Sequence, residues 1–358
     1  MKLHIALMFG GKSPEHAVSV RSARNIYQAI DRDRFDVSLI GVDLEGKWFR
    51  LEEGAFLGEG LNIAQMGTQL AAIPGASSAQ IIELHTGKAL PQISAVFSII
   101  HGPFGEDGSL QGLLQHLNLP YVGPGVLGSA VAMDKDVSKR LLKEAGLLVA
   151  DYLVFHAYEA NAIDYFAVKN QLGLPLFIKP ANMGSSIGVC KADNKEEFDE
   201  AVAEAFRYDH KIVVESFIEG RELECAVLGN EILDATGIGE IVMEAGFYDY
   251  DSKYISADAA KLYIPAKISD LALHKLRIVA KQAYQVHACE GLARVDMFLT
   301  AENDVYVNEL NTLPGFTSIS MYPKLWEVEG LSYSNLITRL IELAIERHAR
   351  NSALELGM

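Results

Sequence analysis

The stretch GLARVDMFLTAENDVYVNELN, Gly291–Asn311, carries the reading of this chain. Two alternating apolar runs, Ala293–Leu299 and Val305–Leu310, flank the turn-like Thr300–Asp304, which predicts a β-hairpin. A turn centred on Glu302 and Asn303 sets Asp296 opposite Glu309 and Arg294 opposite Asn311. Side chains alternate faces along a strand, so these four project from one face of a rigid sheet. Opposed carboxylates repel unless a cation lies between them, and hard oxygen donors of this kind suit Mg²⁺ shared with substrate phosphates. A solvated strand face is the plainer explanation for one charged pair. It accounts less well for a guanidinium, two carboxylates and an amide set among Val, Met, Phe and Leu.

Length and charge narrow the rest. A chain of 358 residues can bury a large core and predicts two or three domains. A net charge of -16 argues against a nucleic-acid partner, which needs a basic footprint, but leaves small anions open to local clusters of Lys, Arg and backbone N–H groups. Cys190, Cys225 and Cys289 are widely spaced and odd in number, so reduced thiols in a cytoplasmic setting are expected. The N-terminal apolar run is short for a signal peptide and reads as a first strand, and no run reaches membrane-spanning length.

Strand-like runs at Leu3–Phe9, Asp36–Val42 and Ala95–Ile100 alternate with helical segments at Pro14–Ile30 and Ser109–Leu117, which predicts a parallel sheet with crossover helices. Residues Glu52–Gln80, rich in Gly, Ala and Ser, read as a surface insertion. The expected division is an α/β domain over 1–134, a central α+β unit over 135–226 and a third over 227–358 holding the hairpin.

Two loops invite a phosphate reading. Gly10-Gly11-Lys12-Ser13 lacks the spacing of a P-loop, leaving a tight turn with Ser13 as N-cap, Pro14 at the first helical position and Glu15 suited to the helix dipole. Lys179-Pro-Ala-Asn-Met-Gly184-Ser185-Ser186-Ile-Gly188 is stronger, because its glycines let backbone N–H groups approach a ligand beside hydroxyls and an ammonium. Downstream, Phe217 and Ile218 offer a surface on which an adenine ring could rest, with Glu215 or Glu222 able to accept from its amino group or a ribose hydroxyl, although taken alone the segment reads equally as a buried strand with polar ends.

In order along the chain, FGGKSPEHAVS, HGPFGEDGSLQG, AMDKDVSK, IKPANMGSSIGV, FYDYDSKY, RVDMF and NELNTLPGFTSISMYP resemble the ATP-grasp superfamily and, within it, the long form of the D-alanine–D-alanine ligases. The resemblance implies an ATP-grasp fold behind a Rossmann-like, pre-ATP-grasp parallel-sheet domain. It implies that Lys135, Lys179, Gly184, Ser185, Ser186, Glu215, Phe217, Ile218 and Glu222 hold ATP, and that Asp296, Glu309 and Asn311 bind two Mg²⁺ or Mn²⁺ ions. Glu15 then takes the ammonium of the first D-alanine, while Arg294 and the Gly315 backbone face the oxyanion. Lys253 and Ser320 bind the second carboxylate beside Met321, and His101 lies near the substrates or anchors its loop. Tyr254 joins Glu15 and Ser185 in a hydrogen-bonded set under a lid, Gly246–Tyr254.

The implied chemistry joins two D-alanines for peptidoglycan, through an acyl phosphate, in a cytoplasmic homodimer. D-serine or D-lactate as the second substrate is the alternative within the fold, and a nucleotide-binding module without turnover the alternative outside it.

Overall fold

The structure is a computed structural model that describes residues 2–243 and 260–355. The expected lid and both Lys253 and Tyr254 lie outside the described residues.

Among the described residues the strands form three sheets. The first comprises β1 (Leu3–Gly10), β2 (Phe35–Val42), β3 (Trp48–Leu51), β4 (Thr68–Ala72), β5 (Ile81–Glu83) and β6 (Ala95–Ser98), in the order β5-β4-β3-β2-β1-β6. β1 pairs parallel with β2 and β6, and it is buried from Ile5 to Gly10, as a central strand covered on both faces must be. The helix His16–Ala29 packs on it with Val18, Ser22, Ala23 and Ile26 turned inward. Ser19 pins helix to strand by accepting from Gly10 N–H at 2.8 Å and donating to Ile99 O at 2.6 Å.

Two expectations are amended here. The Glu52–Gln80 segment runs largely exposed, as an insertion over the surface should, but it also supplies β4, which extends the sheet antiparallel between β3 and β5. Its alternation is too short to register as a strand in sequence. The first helix starts at His16, not Pro14. Ser13 instead caps the preceding turn, accepting from Glu15 N–H at 3.1 Å, and this lifts Glu15 out of the helix to its mouth.

The second sheet holds β7 (Tyr152–His156), β8 (Leu176–Pro180), β9 (Cys190–Ala192) and β10 (Lys211–Ser216), all antiparallel in the order β7-β10-β8-β9. The third is an antiparallel sheet of β11 (Arg221–Gly229), β12 (Asp234–Met243), β13 (Ala260–Tyr263), β14 (Gly291–Leu299) and β15 (Val305–Asn311), ordered β13-β12-β11-β14-β15. The boundary expected between 226 and 227 falls inside β11. One core runs from β1 and β6 through Phe316, Tyr322 and Trp326 to the helix Tyr333–Ser352, so the chain's last segments fold back onto its first sheet. Arg347 secures that return, donating to the Tyr121 carbonyl at 2.7 Å and to the Gly123 carbonyl from a buried position. The ends of β8, β10, β14 and β15, the mouth of the first helix and the loop after β6 therefore converge.

Candidate active site

The hairpin forms with Asp296 opposite Glu309 and Arg294 opposite Asn311, as the alternation predicts. The register nearer the turn differs: Met297 faces Val307 and Leu299 faces Val305. A β-bulge at Asn308 makes up the difference, and without it Asp296 would face Asn308 and Glu309 would change sides. The two acids are held differently. Asp296 is almost fully buried and accepts two hydrogen bonds of 2.7 Å from Arg294, whereas Glu309 is partly exposed and lies 3.8 Å from the Lys135 ammonium. Glu224 on β11, directly opposite Asp296, also approaches Arg294, at 3.1 Å.

A buried charge cluster stands beside this face. Lys179 donates to Glu215 Oε2 at 2.8 Å and to Asn308 Oδ1 at 3.4 Å, while Lys139 lies 3.2 Å from Glu215 Oε1. Burial pushes the Glu215 carboxyl up, but the Lys139 and Lys179 charges outweigh it and hold the group at about 2. For Lys139 burial wins over its attraction to Glu215, and its pKa is lowered. For Lys179 burial acts the same way, yet Glu215 raises the ammonium above its ordinary value. Lys139 is a residue that the sequence reading missed. It follows Lys135 by one helical turn on the helix Lys135–Glu144, a spacing that puts both on one face.

The loop after β8 brings the phosphate candidates over the acids. Lys135 Nζ donates to the Met183 carbonyl at 2.7 Å, tying helix to loop. Ser185 and Ser186 take left-handed φ values of 52° and 58°, which L residues rarely adopt and which bend the loop inward. Gly188, at φ +68°, completes the bend where a Cβ would strike Tyr208 and Pro180 at 2.7 and 2.9 Å. The Ser185 hydroxyl donates to Glu15 Oε1 in a short hydrogen bond, so two members of the expected trio meet.

Phe217, half exposed, stacks on Phe177 with ring centroids 6.0 Å apart, and Ile218 beside it is partly exposed. Glu222 opens β11 close enough to Lys179 to act on its charge. They lie where β10 of the second sheet passes into β11 of the third. His101 makes the contacts of a loop anchor, one of its two expected readings. It is buried, with Nδ1 against Leu313 O at 2.9 Å and Nε2 against Ser22 Oγ at 3.2 Å, and burial drives its pKa down to about 4. It anchors its loop as a neutral ring. Ser320 Oγ lies 2.8 Å from where a Gly315 Cβ would be, and accepts from Thr317 N–H at 2.9 Å. Met321, next to Ser320, is buried against Gly239 in the first core.

The donor set fits a hard divalent cation. Asn311 Oδ1 is buried and has no hydrogen-bond partner among the described residues, on the face that carries Asp296 and Glu309. Among the described residues no three His, Cys, Asp or Glu side chains group closely enough to hold a metal alone. Two carboxylates and an amide that leave positions for phosphate oxygens match how Mg²⁺ is ordinarily bound.

A phosphate-covering loop on one antiparallel sheet, facing paired acids on another behind a parallel-sheet domain, defines the ATP-grasp class. Family models described as the D-ala D-ala ligase N-terminus and C-terminus match residues 4–124 and 141–342. The chain is 51% identical to D-alanine–D-alanine ligase A of Escherichia coli (strain K12), with 100% of both chains covered. It is 54% identical to D-alanine–D-alanine ligase of Shouchella clausii, covering 99% of this chain and 98% of that one. The D-alanine–D-alanine ligase structure from Coxiella burnetii superposes with a TM-score of 0.85 at 38% identity, covering 98% of this chain and 97% of that one. The VanG D-Ala:D-Ser ligase from Enterococcus faecalis superposes at 0.86 and 35% identity, covering 96% and 100%. The chain belongs to the D-alanine–D-alanine ligase family.

Proposed function

We propose that this chain is the ligase that joins two D-alanines into D-alanyl-D-alanine for peptidoglycan synthesis, using ATP. The observation that carries the reading is the meeting of Lys135, Lys179 and the Gly184–Gly188 loop with the Asp296–Glu309 pair, on a chain identical over half its length-matched positions to named ligases. Phe217 and Ile218 support the adenine ring, and Glu215 and Glu222 its polar edge and ribose. Glu215 keeps its charge throughout the neutral range because two ammonium groups face it. Lys135 and Lys179 take the phosphates under Ser185 and Ser186. Asp296, Glu309 and Asn311 hold two Mg²⁺ or Mn²⁺ ions, which supply neutralisation of the phosphate charge when bound.

Phosphoryl transfer asks the protein mainly for position and charge compensation. The first D-alanine binds by its ammonium to Glu15 and presents its carboxylate to the γ-phosphate, forming an acyl phosphate and ADP. The amine of the second, held through its carboxylate by Ser320 and, from the family pattern, Lys253, attacks the acyl carbon. Arg294 and the Gly315 amide take the oxyanion charge, and phosphate leaves. The Ser185–Glu15 hydrogen bond closes the loop over the acyl phosphate, and the family pattern adds Tyr254 to that latch. Excluding water there prevents hydrolysis. A cytoplasmic homodimer belongs to the same proposal; no helix among the described residues is long and apolar enough to cross a membrane.

The likeness to the VanG ligase keeps D-serine as the second reading for the attacking amine, against full-length identity of 51–54% to ligases named for D-alanine alone. Phosphate release from ATP and Mg²⁺ with D-alanine, D-serine, D-lactate or no acceptor decides it. The proposal expects release with D-alanine and D-alanyl-D-alanine as product. Release without any amino acid, or a mixed product from equal amounts of D-alanine and D-serine, contradicts it.

A further inference from the structure

Glu106 has no part in the site described so far, yet it sits within it. The residue closes the loop after β6, in the run His101-Gly-Pro-Phe-Gly-Glu106, and is 92% buried on its 8% exposure. Its Oε2 accepts from Gly102 N–H at 2.8 Å. Its Oε1 is buried and has no hydrogen-bond partner among the described residues. A carboxylate oxygen left so is costly, and natural interiors rarely keep one without a use.

Glu15 stands next to it. A Cβ on Gly102 would lie 2.5 Å from Glu15 Oε2, and Gly102, at φ +76°, is the residue whose amide holds Glu106. A Cβ on Gly184 would lie 3.3 Å from Glu15 Oε2 and 4.0 Å from Glu106 Oε2. The absence of side chains at both glycines therefore lets two carboxylates from separate elements flank one spot beneath the phosphate loop. Burial and then the nearby Glu15 charge push the Glu106 carboxyl well above the usual carboxylate range, with Glu309 adding in the same direction and the Gly102 and Leu313 amides opposing. His101, beside it in sequence, is neutral and supplies no compensating charge. Among the described residues no ammonium or guanidinium hydrogen-bonds the second oxygen of Glu106.

We infer that Glu106 is a second substrate-binding carboxylate, and that its Oε1 takes one N–H of the amino-acid ammonium that Glu15 also holds. An ammonium carries three donors arranged tetrahedrally, so two acids and a third acceptor saturate it. A hydroxy acid offers one donor and no charge, and would leave the pair unsatisfied. The inference rests on the amino-acid ligase reading and adds to it the group that selects an amine at this position.

Glu106→Gln is the discriminating variant, since its amide oxygen can still accept from Gly102 N–H while the charge is lost. Steady-state kinetics with varied D-alanine should give a KM raised about tenfold or more, the ordinary worth of a charge-assisted hydrogen bond. The KM for ATP and the melting temperature should stay near wild type. Glu106→Asp, which keeps the charge, should bind D-alanine better than Glu106→Gln. A wild-type D-alanine KM in Glu106→Gln overturns the inference, as does equal impairment of the Asp and Gln variants, the pattern of a loop-shaping residue. Both failures leave wild-type ligation intact; absence of D-alanine-dependent phosphate release in the wild type removes the ligase reading and this inference together.

Discussion

Replacing Lys139 by Met tests the buried charge cluster quantitatively. Lys139 and Glu215 are 2% and 5% exposed, so solvent screening is slight. Glu215 is held at about 2 in the fold against an ordinary value of 4.5. A depressed carboxylate contributes stability above its unfolded pKa and loses it as pH falls through the folded one. At about 1.4 kcal/mol per pH unit, the shift amounts to about 3 kcal/mol, present above about pH 4.5 and gone near pH 2. Lys179 remains in the variant, and removing Lys139 also relieves its own burial cost, so roughly 1–2 kcal/mol is the expected loss at pH 7. Urea denaturation from pH 7 to pH 3 measures it. The gap between wild type and variant should be about that size at neutral pH and narrow below pH 4.5. The KM for ATP should rise as well, because Glu215 and Lys179 lose a neighbour that fixes them. Equal stability at pH 7, or a gap that does not change with pH, would refute the reasoning.

Glu309→Gln should cut turnover by at least about a hundredfold with an unchanged melting temperature, and near-normal activity would remove the metal assignment. Phe217→Ala should raise the KM for ATP about tenfold, since an aromatic face under a base is worth about 1–3 kcal/mol, while the D-alanine KM stays put. Ser185→Ala breaks the link to Glu15 and should increase the share of ATP hydrolysed without dipeptide, read as the ratio of phosphate to D-alanyl-D-alanine. His101 is held near 4 by burial against 6.5 unfolded, so folding stability should decline as pH falls from about 6.5 to 4, and His101→Gln should flatten that slope in thermal melts.

Much of this site was legible because strand alternation is a strict code: the four polar residues of the hairpin could be placed on one face from period alone. The bulge at Asn308 was not legible, since no Gly or Pro marks it; the assumed turn centre and the omitted bulge differed by one residue each and cancelled at Asp296. β4 escaped notice because five residues of mixed polarity pair only by virtue of the strands beside them. Lys139 and Glu106 were hidden for a different reason. Their significance lies in which distant carboxylates they meet, and contact across elements leaves no local pattern. For His101 the position after a strand already allowed a loop anchor, but its partners Ser22 and Leu313, both remote in sequence, could not be named from it.

The most direct test of the central claim follows one oxygen atom. D-alanine labelled with heavy oxygen in its carboxylate is turned over with ATP and Mg²⁺, and the released phosphate is analysed by mass. Attack of the carboxylate on ATP followed by displacement at carbon carries a carboxylate oxygen into phosphate, so labelled phosphate should appear in equal amount to dipeptide. Unlabelled phosphate accompanying dipeptide would contradict the account.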